Sequence, residues 1–443
     1  MESGDVAESD GLERLVRSAA VLRWELVPNS ARRHTALVLA DTLGVIMAGA
    51  RRTEVAAYVS GEAGEGKLCG RLPTGPAQIL DGALTSVEAA TAAFVNGTAG
   101  TFLELDEGYR PTGHPGVHVI PAALAAAQAL HSSGIELLTA TLAGYEVTAR
   151  LFEAYQLTYP LHPHGHFGAV GAALAVALLR GVDPLEPACI AATLPLLPVW
   201  QACFEGATAR NAWAGSAAAL GIAANRMATA GFTGARGALD VTFGELVGHP
   251  RDVSSLSRHL DHADLAITQD YLKLHSACAL SHAALDAVLT IAPDVDIASV
   301  SHVVVETVSN NLKINRQPRP NSLSTRFSLP YSVAAALVHG HTGPEAFEPD
   351  ERVLALARRV EVRAADDLER HWPDRAPARV IVQTTAGERT VQVDNPRGHH
   401  ANPAGDEELR RKFMMLCPRL DAEALLQRLL DVAAVPDCAR LLA

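Results

Sequence analysis

Val300-Ser-His-Val-Val-Val-Glu-Thr-Val308 interrupts a sequence otherwise rich in helix formers. A β-branched run of this length reads as a strand, because such side chains pack well on a pleated surface and lose rotamer freedom in a helix. Val360–Arg363 and the pair Arg379–Thr384 with Glu388–Val393 repeat the texture, and Thr385-Ala-Gly-Glu supplies a hairpin turn between the last two. With a helix expected over Ser276–Ile291, this region reads as a smaller α+β domain at 269–400. Upstream the pattern is helical. Asn29 is a candidate N-cap for a helix through Leu37, Leu39, Leu43 and Ile46, ending near Gly49. Val87–Phe102, Pro121–Leu130, Glu136–Tyr155, Phe167–Leu179 and Asn211–Thr229 follow, most bounded by Gly or Pro. Their small residues allow close helix approach, so 1–268 is expected to be a helical bundle. Glu407–Leu416 and Ala422–Ala434 are helical again. Periodicity does not say where 401–443 packs, and a return to the helical domain is the expectation carried forward.

The chain has 443 residues, 48% of them hydrophobic and 5% aromatic, with a formal net charge of -12. That length suits two or three domains and a large core. The acidic balance argues against a nucleic-acid partner, since phosphate contacts need a basic surface. Six scattered cysteines (Cys69, Cys189, Cys203, Cys278, Cys417, Cys438) form no C-x-x-C pair and no disulfide framework. The acidic N-terminus is unlike a signal peptide, and apolar stretches such as Ala169–Leu179 stop short of a membrane span. The expected location is cytoplasmic, with no membrane partner.

Gly61-Glu-Ala-Gly-Glu-Gly66-Lys67-Leu68 nearly matches a phosphate-binding loop, but Leu68 has no hydroxyl for magnesium and Pro73 follows too soon for a helix; a surface loop is expected. His162-Pro-His164-Gly-His166 offers three imidazoles before a glycine-rich helix. A metal site is one reading, a helix N-terminus that holds a carboxylate is a better one, and a capping loop competes with both. In Glu104-Leu-Asp106-Glu107-Gly108-Tyr-Arg110-Pro-Thr-Gly-His114, acids stand close to histidines, a combination suited to acid–base work or to a solvated turn. Arg210 and Lys273 are cations in apolar surroundings, able to grip a carboxylate or simply to snorkel.

Taken together and in order, these pieces resemble the MmgE/PrpD family. The resemblance rests on Ala40-Asp-Thr-Leu-Gly-Val45, Asn96-Gly-Thr-Ala99, Gly113-His-Pro115 with Val119-Ile-Pro-Ala122, and Gly144-Tyr-Glu-Val147. It continues through His162-Pro163 with Phe167-Gly168, Phe327-Ser-Leu-Pro-Tyr331, and Pro396-Arg-Gly398 before Asn402-Pro403. It implies a mainly α fold, a large all-helical domain plus a smaller α+β lid, assembled as a homodimer with the active site between the domains. It also implies catalysis without metal or organic cofactor on a small polycarboxylate. His114, His162, Lys273, Glu104 and Asp106 are then the catalytic candidates, and Arg210, Lys273, His282, Tyr331 and Cys278 the substrate-binding ones. The chain departs from the family's frequent pattern at Glu104 (an aspartate) and Gly108 (a threonine), and from the decarboxylase relatives at Arg210 (a lysine) and Cys278 (a histidine). Arg and Lys differ as donors, so these changes point away from cis-aconitate decarboxylation.

The leading reaction is dehydration of a 2-methylcitrate-like hydroxy acid through proton transfer at the carbon next to a carboxylate. Epimerisation of an iminodisuccinate-like acid, cis-aconitate-like decarboxylation, and an inert binding protein on the same fold are the alternatives. Arg210 and Lys273 would bind carboxylates, His114 and His162 would move protons, and Glu104 or Asp106 would orient a histidine.

Overall fold

The computed structural model describes residues 11–61, 70, 72–110, 112–419 and 421–442. The phosphate-loop look-alike falls outside them beyond Gly61, which itself closes the helix Thr53–Ser60 in a left-handed conformation. The fold is mainly α with a smaller α+β part. No helix among the described residues is long and apolar enough to cross a membrane.

The bundle is built around six helices: α1 (Asn29–Gly49), α2 (Ala89–Gly100), α3 (Pro115–Leu130), α4 (Gly134–Ala154), α5 (Phe167–Leu179) and α6 (Ala212–Thr229). Residues 167–177 of α5 are all buried, and a helix apolar on every side must be surrounded. Here α3, α4 and α6 enclose it, together with the short helix Leu185–Thr193. Small residues permit this. A Cβ on Gly171 would lie 2.3 Å from the Gly144 carbonyl oxygen, and one on Gly97 would lie 2.8 Å from Gly215 Cα. The α4/α5 and α2/α6 crossings are thus set by backbone meeting backbone.

Several boundaries differ from the sequence reading. Asn29 is the first residue of α1 and Pro28 its cap. α3 begins at Pro115, not Pro121: Pro115 takes the first-turn position where a missing N–H costs nothing, and Pro121 lies inside the helix. α4 opens with a capping box between Ser133 and Glu136.

Beyond the bundle, α7 (His282–Ile291) is six residues shorter at its start than expected. Ser276 Oγ donates to the Leu103 carbonyl and Ser281 Oγ to the Cys278 carbonyl, holding 276–281 out of the helix. Strands β1 (Val300–Thr307), β2 (Val360–Ala364), β3 (Ala378–Thr384) and β4 (Gly387–Val393) form one sheet in the order β4-β3-β1-β2. β1 runs parallel to β2 and antiparallel to β3, and Thr385-Ala386 closes the β3–β4 hairpin. Val303, Val305, Val360, Val362, Val380 and Val382 alternate onto the face covered by α7 and α8 (Leu329–His339). Finally α9 (Asp406–Leu416) and α10 (Ala422–Leu430) pack on α1. There Lys412 Nζ lies 2.7 Å from Asp41 Oδ1 and donates to the Leu105 carbonyl.

Gly215→Val is expected to force α2 and α6 apart and lower unfolding free energy by at least about 2 kcal/mol. Urea denaturation followed by circular dichroism measures it, and an unchanged midpoint would show that the crossing tolerates the extra volume.

Candidate active site

Between α2 and α3 the chain runs as an irregular buried segment, and its geometry is set at both ends. Gly113, in a glycine-only conformation at φ 135°, leaves room for the Phe152 ring, and His114 follows as the N-cap of α3. Glu104 has φ 51°, the left-handed region that non-glycine residues rarely occupy. Its carboxylate spans two cations: Oε1 lies 2.7 Å from Arg210 Nη1 and Oε2 3.4 Å from Lys273 Nζ. Asp106 Oδ1 receives the same ammonium at 3.2 Å.

Lys273 is delivered by a two-residue antiparallel pairing, Gly108 with Tyr271 and Tyr109 with Asp270. A Cβ at position 108 would lie 2.3 Å from the Tyr271 ring, so the glycine is where this phenol seats. All four charged groups of the cluster are buried. Burial alone would push Asp106 up; the Lys273 ammonium, then His114 and Arg210, hold it well below the usual carboxylate range. Burial would likewise pull Lys273 down, but Asp106 and Glu104 keep it firmly protonated.

The histidines separate into two groups. His114 Nδ1 lies 2.8 Å from the Glu107 carbonyl and 3.0 Å from Asp106 Oδ2, both acceptors, so Nδ1 carries the proton and Nε2 the lone pair. His162 is boxed by Trp200, Trp213 and Phe327, and burial followed by the Arg210 charge drives its pKa well below normal. His118 and His166 do structural work. His118 Nδ1 donates to the His114 carbonyl, while its Nε2 accepts from the Gly165 N–H. His166 Nδ1 accepts from the Phe167 N–H and caps α5. Of the amides at the start of α5, that of Phe167 is thus taken by an imidazole, and that of Ala169 donates to the His166 carbonyl.

Glu104, His114, His162, Arg210, Lys273 and Cys278 line one cavity of about 350 Å³, with Asp106 directly behind His114 and Lys273. Two expected substrate ligands do not reach it. Tyr331 Oη donates to the Glu348 carbonyl and accepts from the Asp350 N–H, and His282 Nε2 faces the Ala277 carbonyl. Both belong to the packing behind the wall, a consequence of His282 starting α7 and Tyr331 lying in the first turn of α8.

The MmgE/PrpD N-terminal domain model matches residues 13–249, and the C-terminal domain model matches 275–435. The chain belongs to the MmgE/PrpD family. At that level it is an enzyme of lyase type. It is similar to cis-aconitate decarboxylase of Mus musculus, 27% identical over 383 residues, covering 78% of this chain and 76% of that protein. The Homo sapiens cis-aconitate decarboxylase is 26% identical over 385 residues, covering 78% and 77%.

In this MmgE/PrpD member the cavity also holds residues that sequence reasoning did not assign: Tyr271, Lys313 and Trp200, as well as Arg110, which was noted only as a neighbour of the acids. The tyrosine had one legible signal, the glycine at 108 that makes room for it. Asp106, His114 and His164 have ligand atoms within 4.8 Å of one another, close enough to share a metal ion. The donor set fits a metal poorly. His114 Nδ1 is committed as a donor to the Glu107 carbonyl, and Asp106 already bears the Lys273 ammonium.

Burial, then the Glu104 charge, pushes the Cys278 thiol up to about 12. At pH 8 roughly one molecule in 10,000 would carry the thiolate. Cys278 is therefore expected to stay unalkylated by iodoacetamide in the folded protein and to react fully in urea, as read by peptide mass spectrometry.

Proposed function

We propose that this enzyme transfers a proton at the carbon next to a carboxylate of a small polycarboxylate, and that its reaction is dehydration of a 2-methylcitrate-like hydroxy acid. The observation that carries this reading is the charge of the cavity. Arg110, Arg210, Arg251, Lys273 and Lys313 line it, against Glu104 on the lining and Asp106 behind it. A chain of net charge -12 has thus concentrated cations in one concavity, which suits a substrate bearing several negative charges.

His114 is the base in this reading. Its Nε2 lone pair takes the proton, the Glu107 carbonyl at Nδ1 fixes the tautomer, and the ionised Asp106, 3.0 Å from Nδ1, stabilises the imidazolium that results. Glu104 is the counter-ion of Arg210 and Lys273, leaving Asp106 as the orienting carboxylate. The negative charge that develops on the substrate faces the Lys273 ammonium, a preorganised cation in a dry wall. The departing hydroxyl takes its proton from the same ammonium, because hydroxide remains a stronger base than the Lys273 amine. His162, kept neutral in its aromatic box, serves as a hydrogen-bonding wall. A homodimer is the assembled state proposed with this reading.

A second reading, decarboxylation of a cis-aconitate-like acid, is favoured by the names of the two relatives. It uses the same cation cluster to stabilise the carbanion left by carbon dioxide. Proton NMR in heavy water with citrate, 2-methylcitrate, cis-aconitate and iminodisuccinate separates the possibilities. New vinyl signals from a hydroxy acid support dehydration, and loss of a carboxylate from cis-aconitate supports the second reading. Exchange at the α-carbon with no net product marks an epimerase. Unchanged spectra with all four acids would defeat both readings and leave a binding protein. His114→Gln is expected to slow turnover about 100- to 10,000-fold while leaving the far-ultraviolet circular dichroism intact. Near-normal turnover in that variant would remove His114 from the base role.

A further inference from the structure

Three of the five cavity cations are already engaged. Arg210 and Lys273 are neutralised by Glu104 and Asp106. Arg251 donates to the Glu153 and Phe152 carbonyls, with the Glu153 charge close by. Arg110 and Lys313 are not. The Arg110 guanidinium lies over the Tyr271 ring, 5.1 Å from its centre, and its buried Nε has no hydrogen-bond partner among the described residues. Lys313 Nζ donates to the neutral Asn310 Oδ1 at 2.7 Å. No carboxylate of the described residues pairs with either. Burial pulls both pKa values down, and only the Tyr271 phenol and the Cys278 thiol, not a carboxylate, work against it. A half-buried cation without a counter-ion is costly, and a ligand anion would remove the cost.

Tyr271 gives Arg110 a fixed plane. Gly108 seats the phenol, the phenol carries the guanidinium, and a planar fork held in this way presents paired N–H donors to a carboxylate. We propose that Arg110 and Lys313 are the specificity-determining clamp of the cavity, each taking a substrate carboxylate remote from the reacting carbon. On this view the Glu104–Arg210–Lys273–Asp106 cluster is reserved for the reaction itself. The inference rests on the polycarboxylate reading above and deepens it. A substrate needs at least two carboxylates beyond the reacting carbon's immediate surroundings, and a monocarboxylate leaves the clamp unfilled.

Binding, measured apart from turnover, tests this. Propane-1,2,3-tricarboxylate has neither a hydroxyl to eliminate nor a double bond, so calorimetric titration with it reports the clamp alone. The unchanged protein is expected to bind it and to show no heat with propionate. Arg110→Gln and Lys313→Gln should each weaken binding about tenfold or more, the loss typical of a charge-assisted hydrogen bond. Arg110→Lys should recover only part of the loss, because it restores charge without the fork. Thermal melts by circular dichroism confirm that each variant is folded. If both glutamine variants bind within twofold of the unchanged protein, or if the unchanged protein does not bind the tricarboxylate, the clamp is wrong. The NMR assay then judges the proton-transfer reading separately. A clamp that survives in a protein inert toward all four acids would overturn the reaction and leave this inference standing.

Discussion

Two carboxylates and two cations, all buried, hold the site together. Glu104 and Asp106 come from the segment after α2, Arg210 from the turn before α6, and Lys273 from just past Tyr271, the strand partner of Gly108. Removing charges from water costs several kcal/mol per ion, and such a cluster persists only when each charge meets its opposite in good geometry. That requirement explains the left-handed backbone at Glu104. A relaxed conformation there would turn the carboxylate away and leave Arg210 in the core without its ion-pair partner.

The histidines follow from the same cluster. Asp106 is kept ionised by Lys273 and can therefore stabilise a positive charge on His114, whose tautomer the Glu107 carbonyl fixes. His162, close to Arg210 and walled by tryptophans, is kept neutral. Two imidazoles in one cavity thus have different chemistry because different charges face them. His118 and His166 show the alternative fate of a buried histidine, both ring nitrogens spent on backbone groups.

Much of this was legible in the residues. The strand texture of Val300–Val308 announced the change of architecture, and the small-residue helices announced a close-packed bundle, because local periodicity carries both. The family pattern brought Glu104, Asp106, His114, His162, Arg210, Lys273 and Cys278 into one list, and they do meet at one cavity. Direction was not legible. Tyr331 and His282 lie on the right elements, but their side chains turn to backbone groups behind the wall, a fact of tertiary packing. The start of α3 was misplaced because Pro115 and Pro121 offer the same local signal, and only the cap at His114 distinguishes them. Arg110 was legible as a cation but not as an unpaired one, since pairing depends on which carboxylates the fold brings near.

The bond between Glu104 and Lys273 joins residues 169 apart in the chain. Contacts that close so large a loop form late, after local helices have gained their own packing. The bundle around α5 has nearly all its partners within one stretch of chain, whereas the charge cluster waits for the segment around Tyr271 to dock. Matching of its two carboxylates therefore depends on docking of a distant segment, not on the helices alone. Recovery of the site is a report on long-range docking, which recovery of secondary structure alone is not.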